Sequence, residues 1–77
     1  MCGPYVIMIE SDGLTTRLVE TAERTIRGIY ILSRQPGTEV SVVPFEEYGR
    51  FTMKADEADR RDWYRGLIDN SIAATGD

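Results

Sequence analysis

Cys2 stands directly after Met1 in the opening stretch MCGPYVIMIE. Removal of Met1, common before a small residue, would place a thiol and a free α-amine on one residue, a start suited to nucleophilic attack. The rest of the chain gives such a thiol no visible help. None of the 77 residues is histidine, which removes the commonest general base and metal ligand. An unassisted thiol with a pKa near about 8.5 is only slightly ionised at neutral pH. The sequence therefore reads as non-enzymatic, with no catalytic residue and no cofactor.

A second group of chemically capable residues is acidic. Glu39, Glu46, Glu47, Asp56, Glu57, Asp59 and Asp62 share their stretch with Arg50, Lys54, Arg60 and Arg61. Their spacing matches no EF-hand loop and arginines interrupt them, so no metal site is expected. Two readings compete. One is a negative surface that docks on a basic groove of a protein partner, even a groove meant for nucleic acid. The other is that Asp56, Glu57 and Asp59 sit at a helix N-terminus because the helix dipole favours acids there. Tyr48, Arg50, Trp63 and Tyr64 are residue types that anchor interfaces when exposed, and core packing competes for Trp63 and Tyr64. The expected partner-binding set is Glu46, Glu47, Tyr48, Arg50, Asp56, Glu57 and Asp59. Direct nucleic-acid binding is disfavoured: Arg24, Arg27 and Arg34 make a thin patch among Glu20 and Glu23, and the net charge is −4.

Composition bounds the rest. A single domain, 1–77, is expected, and a chain of this size buries only about 60 to 65% of the surface it exposes when unfolded. With 42% hydrophobic residues it is nonetheless globular rather than disordered. The lone Cys excludes an internal disulfide framework. The apolar run at 6–9 is too short for a signal peptide, and nothing is long enough to span a membrane. These features predict a reducing, cytoplasmic setting. Either a monomer or a homodimer is compatible with so small a domain.

The elements that must carry these residues follow from periodicity. Residues 5–10 (YVIMIE) read as a strand, and Ser11-Asp12-Gly13 as a tight turn. Residues 15–20 read as a second strand, because Thr15, Thr16 and Val19 are β-branched after a turn signal. Thr21 would then cap a helix from Ala22 to Arg34 with Ala22, Ile26, Ile29, Tyr30 and Ser33 on its buried side. The alternative is one helix over 15–34, on the stripe Leu14, Leu18, Ala22, Ile26, Ile29 and Ser33. Residues 38–45 predict a strand, 46–49 a turn, and 50–54 (RFTMK) a short fourth strand with Phe51 and Met53 on one face. A last helix capped by Asp56 would bury residues from Trp63, Tyr64, Leu67, Ile68 and Ile72. Its outer face would be laced by Asp56 with Arg60, Glu57 with Arg61 and Arg65 with Asp69. The fold class is α+β: a small antiparallel sheet of three or four strands with two helices, ordered ββαββα, or alternatively βαββα.

Two resemblances attach to these residues. Met1-Cys2-Gly3 is similar to the start of N-terminal-nucleophile glutamine amidotransferases, but Pro4 departs from that family's pattern. Its domain is also far larger and supplies the oxyanion hole and glutamine pocket from segments this chain lacks. The layout carried by SDG at 11–13, TTRLVETAE at 15–23 and EVSVV at 39–43 resembles small phage and mobile-element proteins of the anti-CRISPR type. That resemblance implies an inhibitor acting without catalysis in the host cytoplasm, by occupying a surface of a bacterial defence complex. A regulatory or nucleic-acid-binding module of repressor or antitoxin type is the alternative.

Overall fold

A computed structural model describes residues 3–75; Cys2, and with it the nucleophile reading, lies outside the described residues. Two strands, β1 (Tyr5–Ser11) and β2 (Leu14–Glu20), are joined by a two-residue turn. Asp12 (φ 55°) and Gly13 (φ 75°) both take positive φ, the geometry in which a two-residue hairpin matches the strand twist. Helix α1 (Ala22–Ser33), strand β3 (Thr38–Pro44), the single turn α2 (Phe45–Tyr48) and helix α3 (Ala55–Ala74) complete an α+β fold ordered ββαβαα.

The sheet is antiparallel in the order β2-β1-β3, with the apolar strand β1 in the middle. Ile7 stands opposite Leu18 on one side and Val42 on the other; Ile9 stands opposite Thr16 and Val40. Alternation puts these residues on one face. There α1 lies over β1 and β3, while α3 lies over β2 and against α1. Ile7, Ile9, Leu18, Leu32, Tyr64 and Ile68 form the core, flanked by Ile31, Val40, Val42, Leu67 and Ile72. On the second face, α2 sits against β3 and β1. The Phe51 ring packs 4.5 Å from the Arg17 guanidinium, and Tyr48 meets Phe51 edge-on at 5.2 Å.

Several expectations need correction. The fourth strand does not form: residues 50–54 carry no ladder, and the sheet ends at β2 on one side and β3 on the other. Phe51 and Met53 are half-buried there all the same, in alternation with exposed Thr52. The predicted turn at 46–49 is the helical turn α2, ended by Gly49 at φ 87°. The single helix over 15–34 is excluded by β2.

The buried stripe of α1 also differs. Thr25, Gly28 and Leu32 face inward, whereas Ile26 and Tyr30 are 72% and 64% exposed and Ser33 is exposed too. Gly28 explains the rotation: a Cβ there would stand 3.3 Å from Ile68 Cδ1 and 3.5 Å from Ile7 Cδ1, so the helix backbone itself rests on the core. In α3, Tyr64 and Ile68 are buried, and Trp63 lies outside at 60% exposure. Lys54, rather than Asp56, is its N-cap residue. Asp56 contributes two residues later, accepting the Glu57 main-chain N–H at 3.0 Å.

Candidate partner-binding surface

Arg17 organises the region that the sequence singled out. Its side chain leaves β2 and gathers three segments. Nε donates to Glu57 Oε2 at 2.7 Å and Nη2 to Glu57 Oε1. Nη1 donates to the Tyr48 hydroxyl at 3.3 Å, and Nη2 also reaches the Thr52 carbonyl at 3.4 Å. The planar guanidinium fork suits this two-oxygen grip on a carboxylate. Glu57 is only 5% exposed, and its bonds with Arg17 hold its carboxyl below the ordinary value of 4.5. In turn Glu57, followed by Tyr48, raises the pKa of Arg17.

This placement divides the predicted site residues. Glu46, Glu47, Arg50, Asp56 and Asp59 are exposed on α2, the segment after it and the first turns of α3. Tyr48 is half-buried with its hydroxyl on Arg17. Glu57 is withdrawn from the acidic surface altogether, because its charge is spent on an internal pair. Asp56 keeps the predicted contact with Arg60, at 3.5 Å. Its carboxyl is held low, first by the Glu57 N–H and then by Arg60.

The other two predicted helix pairs are replaced by longer-range ones. Arg65 Nη1 donates to the buried Glu20 carboxylate at 3.3 Å, and Asp69 pairs with Arg24 on α1. Asp69 is the main cause of the raised Arg24 pKa. Arg24 Nε, 3.5 Å from Glu20 Oε1, is buried without a hydrogen bond. Arg61 turns instead to its neighbour Asp62.

The same α3 side chains also act on the backbone of β2. Arg60 Nη2 donates to the Thr15 carbonyl at 3.1 Å, Glu57 Oε2 accepts the Arg17 main-chain N–H at 3.0 Å, and Arg65 Nη2 donates to the Val19 carbonyl at 3.0 Å. Residues 15, 17 and 19 are those whose main-chain groups point away from β1. Helix α3 thus caps the outer edge of β2 in place of a further strand, which removes a template for unwanted pairing. The sequence shows the charges but not this use of them, since each bond spans 40 residues or more.

An apolar groove between α1 and the end of α3 also escaped the sequence reading. It is an open groove of about 830 Å³ whose lining includes Ile26, Tyr30, Ile31, Ile72, Arg27 and Arg34. The i,i+4 spacing of Ile26 and Tyr30 is also that of a core stripe, so periodicity alone does not separate a groove from a core. Among the described residues no group of three or more acidic, Cys or His side chains is placed to hold a metal, and no helix is long and apolar enough to cross a membrane. The architecture is that of a small α+β domain in which side chains of α3 bond to the outer edge of β2. Compared with family models, curated proteins and solved structures, the chain matches none.

Proposed function

We propose that this protein is a non-enzymatic binding protein that acts by covering a surface of a protein partner, with the acidic corner as its contact. The observation that carries this reading is the Arg17 junction, which ties Tyr48, the Thr52 carbonyl and Glu57 together. The exposed carboxylates of Glu46, Glu47, Asp56 and Asp59 are thereby displayed on segments ordered before any partner arrives. Preorganisation lowers the entropy cost of binding, and a fixed negative surface favours a basic partner site. The partner class is a basic, nucleic-acid-binding surface of a bacterial defence complex, in keeping with the anti-CRISPR-type layout.

The test is inhibition of DNA binding by a purified RNA-guided effector complex. Inhibition should weaken as salt rises. Replacing Glu46, Glu47, Asp56 and Asp59 together by Lys should reduce affinity for the complex by about tenfold or more, with the circular dichroism of the fold retained. Unchanged inhibition would remove the acidic corner from the contact. Retardation of DNA by the protein alone at low salt would favour the regulatory, nucleic-acid-binding alternative. That alternative is weakened by Arg24, whose guanidinium is engaged by Asp69.

A further inference from the structure

The two edges of the sheet are treated differently, and the second edge points to a partner of its own. In an antiparallel strand, alternate residues direct both main-chain groups to the same side. Because the Arg17 N–H points outward from β2, its cross-strand neighbour Met8 directs its groups to β3, where it meets Ser41. Ser41 is therefore turned inward, and Thr38, Val40, Val42 and Pro44 face outward from β3. Thr38 agrees with this parity, since its N–H turns back to the Gln35 carbonyl at 3.3 Å. Among the described residues no side chain bonds to the main chain of Val40 or Val42. This edge also lacks the devices that blunt edges elsewhere: it has no bulge, no Lys or Arg, and Pro only at its last position.

We infer that the open edge of β3 pairs antiparallel with β3 of a second copy of this chain, forming a continuous six-stranded sheet about a two-fold axis at Ser41. The outward residues are symmetric about Ser41, so this register overlaps all seven residues of the strand. Val40 of each copy meets Val42 of the other as a hydrogen-bonded pair, and both N–H and both C=O groups of each pair are used. Pro44, which has no N–H to offer, falls opposite Thr38, whose N–H is already engaged. Glu39 is the only charged residue of β3, and it faces Val43 of the second copy rather than another Glu39, so no like charges oppose. Ser41 meets Ser41 as a non-hydrogen-bonded pair, where two small side chains fit. Val40 and Val42 already flank the core of one copy, and the pairing continues that apolar face across the axis. This inference does not rest on the acidic corner and survives or fails without it.

Light scattering on the full chain across a wide concentration range should show a shift from 8.7 kDa to twice that mass. Ser41→Lys, at an exposed position, should abolish the shift while leaving the circular dichroism of the dilute protein unchanged. Register is read by oxidation in a Cys2→Ser background. At a non-hydrogen-bonded pair the Cα atoms approach to about 4.5 Å, within disulfide range. Ser41→Cys should therefore cross-link to itself. Glu39→Cys should not, but should cross-link when mixed with Val43→Cys. A mass of 8.7 kDa at every concentration would overturn the inference, as would a dimer that Ser41→Lys leaves intact. Ser41→Cys oxidising no faster than Glu39→Cys would overturn it too. So would a monomeric chain that instead takes up an extended peptide along β3.

Discussion

Arg17 and Glu57 form a pair whose two members cannot be removed symmetrically. Glu57 is buried, so truncating Arg17 strands a carboxylate that also caps the edge of β2. Arg17→Ala is expected to destabilise the fold by about 2 to 3 kcal/mol, below the range for a fully buried pair because the Arg17 side chain remains 21% exposed. Equilibrium denaturation checks it. The pH dependence has a definite sign. The folded carboxyl of Glu57 titrates below its ordinary value of 4.5, so its contribution is complete above the unfolded pKa and disappears as pH falls through the folded one. The denaturant midpoint of the wild type should drop from about pH 5 downward, and Glu57→Gln should flatten that acid limb. Sequence reading placed Glu57 among the acids of a helix N-terminus, which is where it lies. It could not show that an arginine 40 positions earlier would take the charge, because pairing across that separation is set by how β2 and α3 dock.

Helix α1 shows how a small residue can hide a contact face. The β1–β2 hairpin, the helix stop at Gln35-Pro36-Gly37 and β3 were legible because turn chemistry and β-branched runs are local signals. The inner face of α1 was not, because Thr25 and Gly28 carry no apolar weight in a periodicity count, while exposed Ile26 and Tyr30 do. The glycines of the two long helices should accordingly behave in opposite ways. Gly66, inside α3, has open space where a Cβ would go, so Gly66→Ala should stabilise by about 0.5 to 1 kcal/mol through backbone entropy and helix propensity. Gly28→Val would drive a branched side chain into Ile68 and Ile7, at a cost of about 1 to 3 kcal/mol. Thermal melts of both variants separate a packing glycine from a merely tolerated one. The sheet carries a comparable local conflict. Glu10 and Glu39 are direct cross-strand neighbours, and like charges so placed repel. Glu39→Lys should raise stability by about 0.2 to 1 kcal/mol, measured at low salt, where the effect is largest.

A three-stranded sheet in so short a chain has two edges and few elements with which to cover them, and this fold spends its longest helix on one. Side chains of α3 bond three of the main-chain groups on β2 that a fourth strand would have met, and residues 50–54 reach α3 as an unpaired segment. The fold therefore holds its helix over β2 through directed bonds to the strand backbone as well as through Tyr64 and Ile68. Amide hydrogen exchange on the dilute protein should display this asymmetry. The Arg17 N–H, although it faces outward from an edge strand, should exchange slowly because Glu57 accepts it. The Val40 and Val42 amides, outward on the other edge, should exchange far faster than the Ile7 amide inside the β1–β2 ladder. Glu57→Ala should release protection at Arg17 with little change at Ile7. Arg17 exchanging as fast as Val42 in the wild type would mean that the helix does not seal its edge in solution. Raising the protein concentration supplies the complementary reading, because a strand partner on β3 would slow Val40 and Val42 together and leave Arg17 as it was.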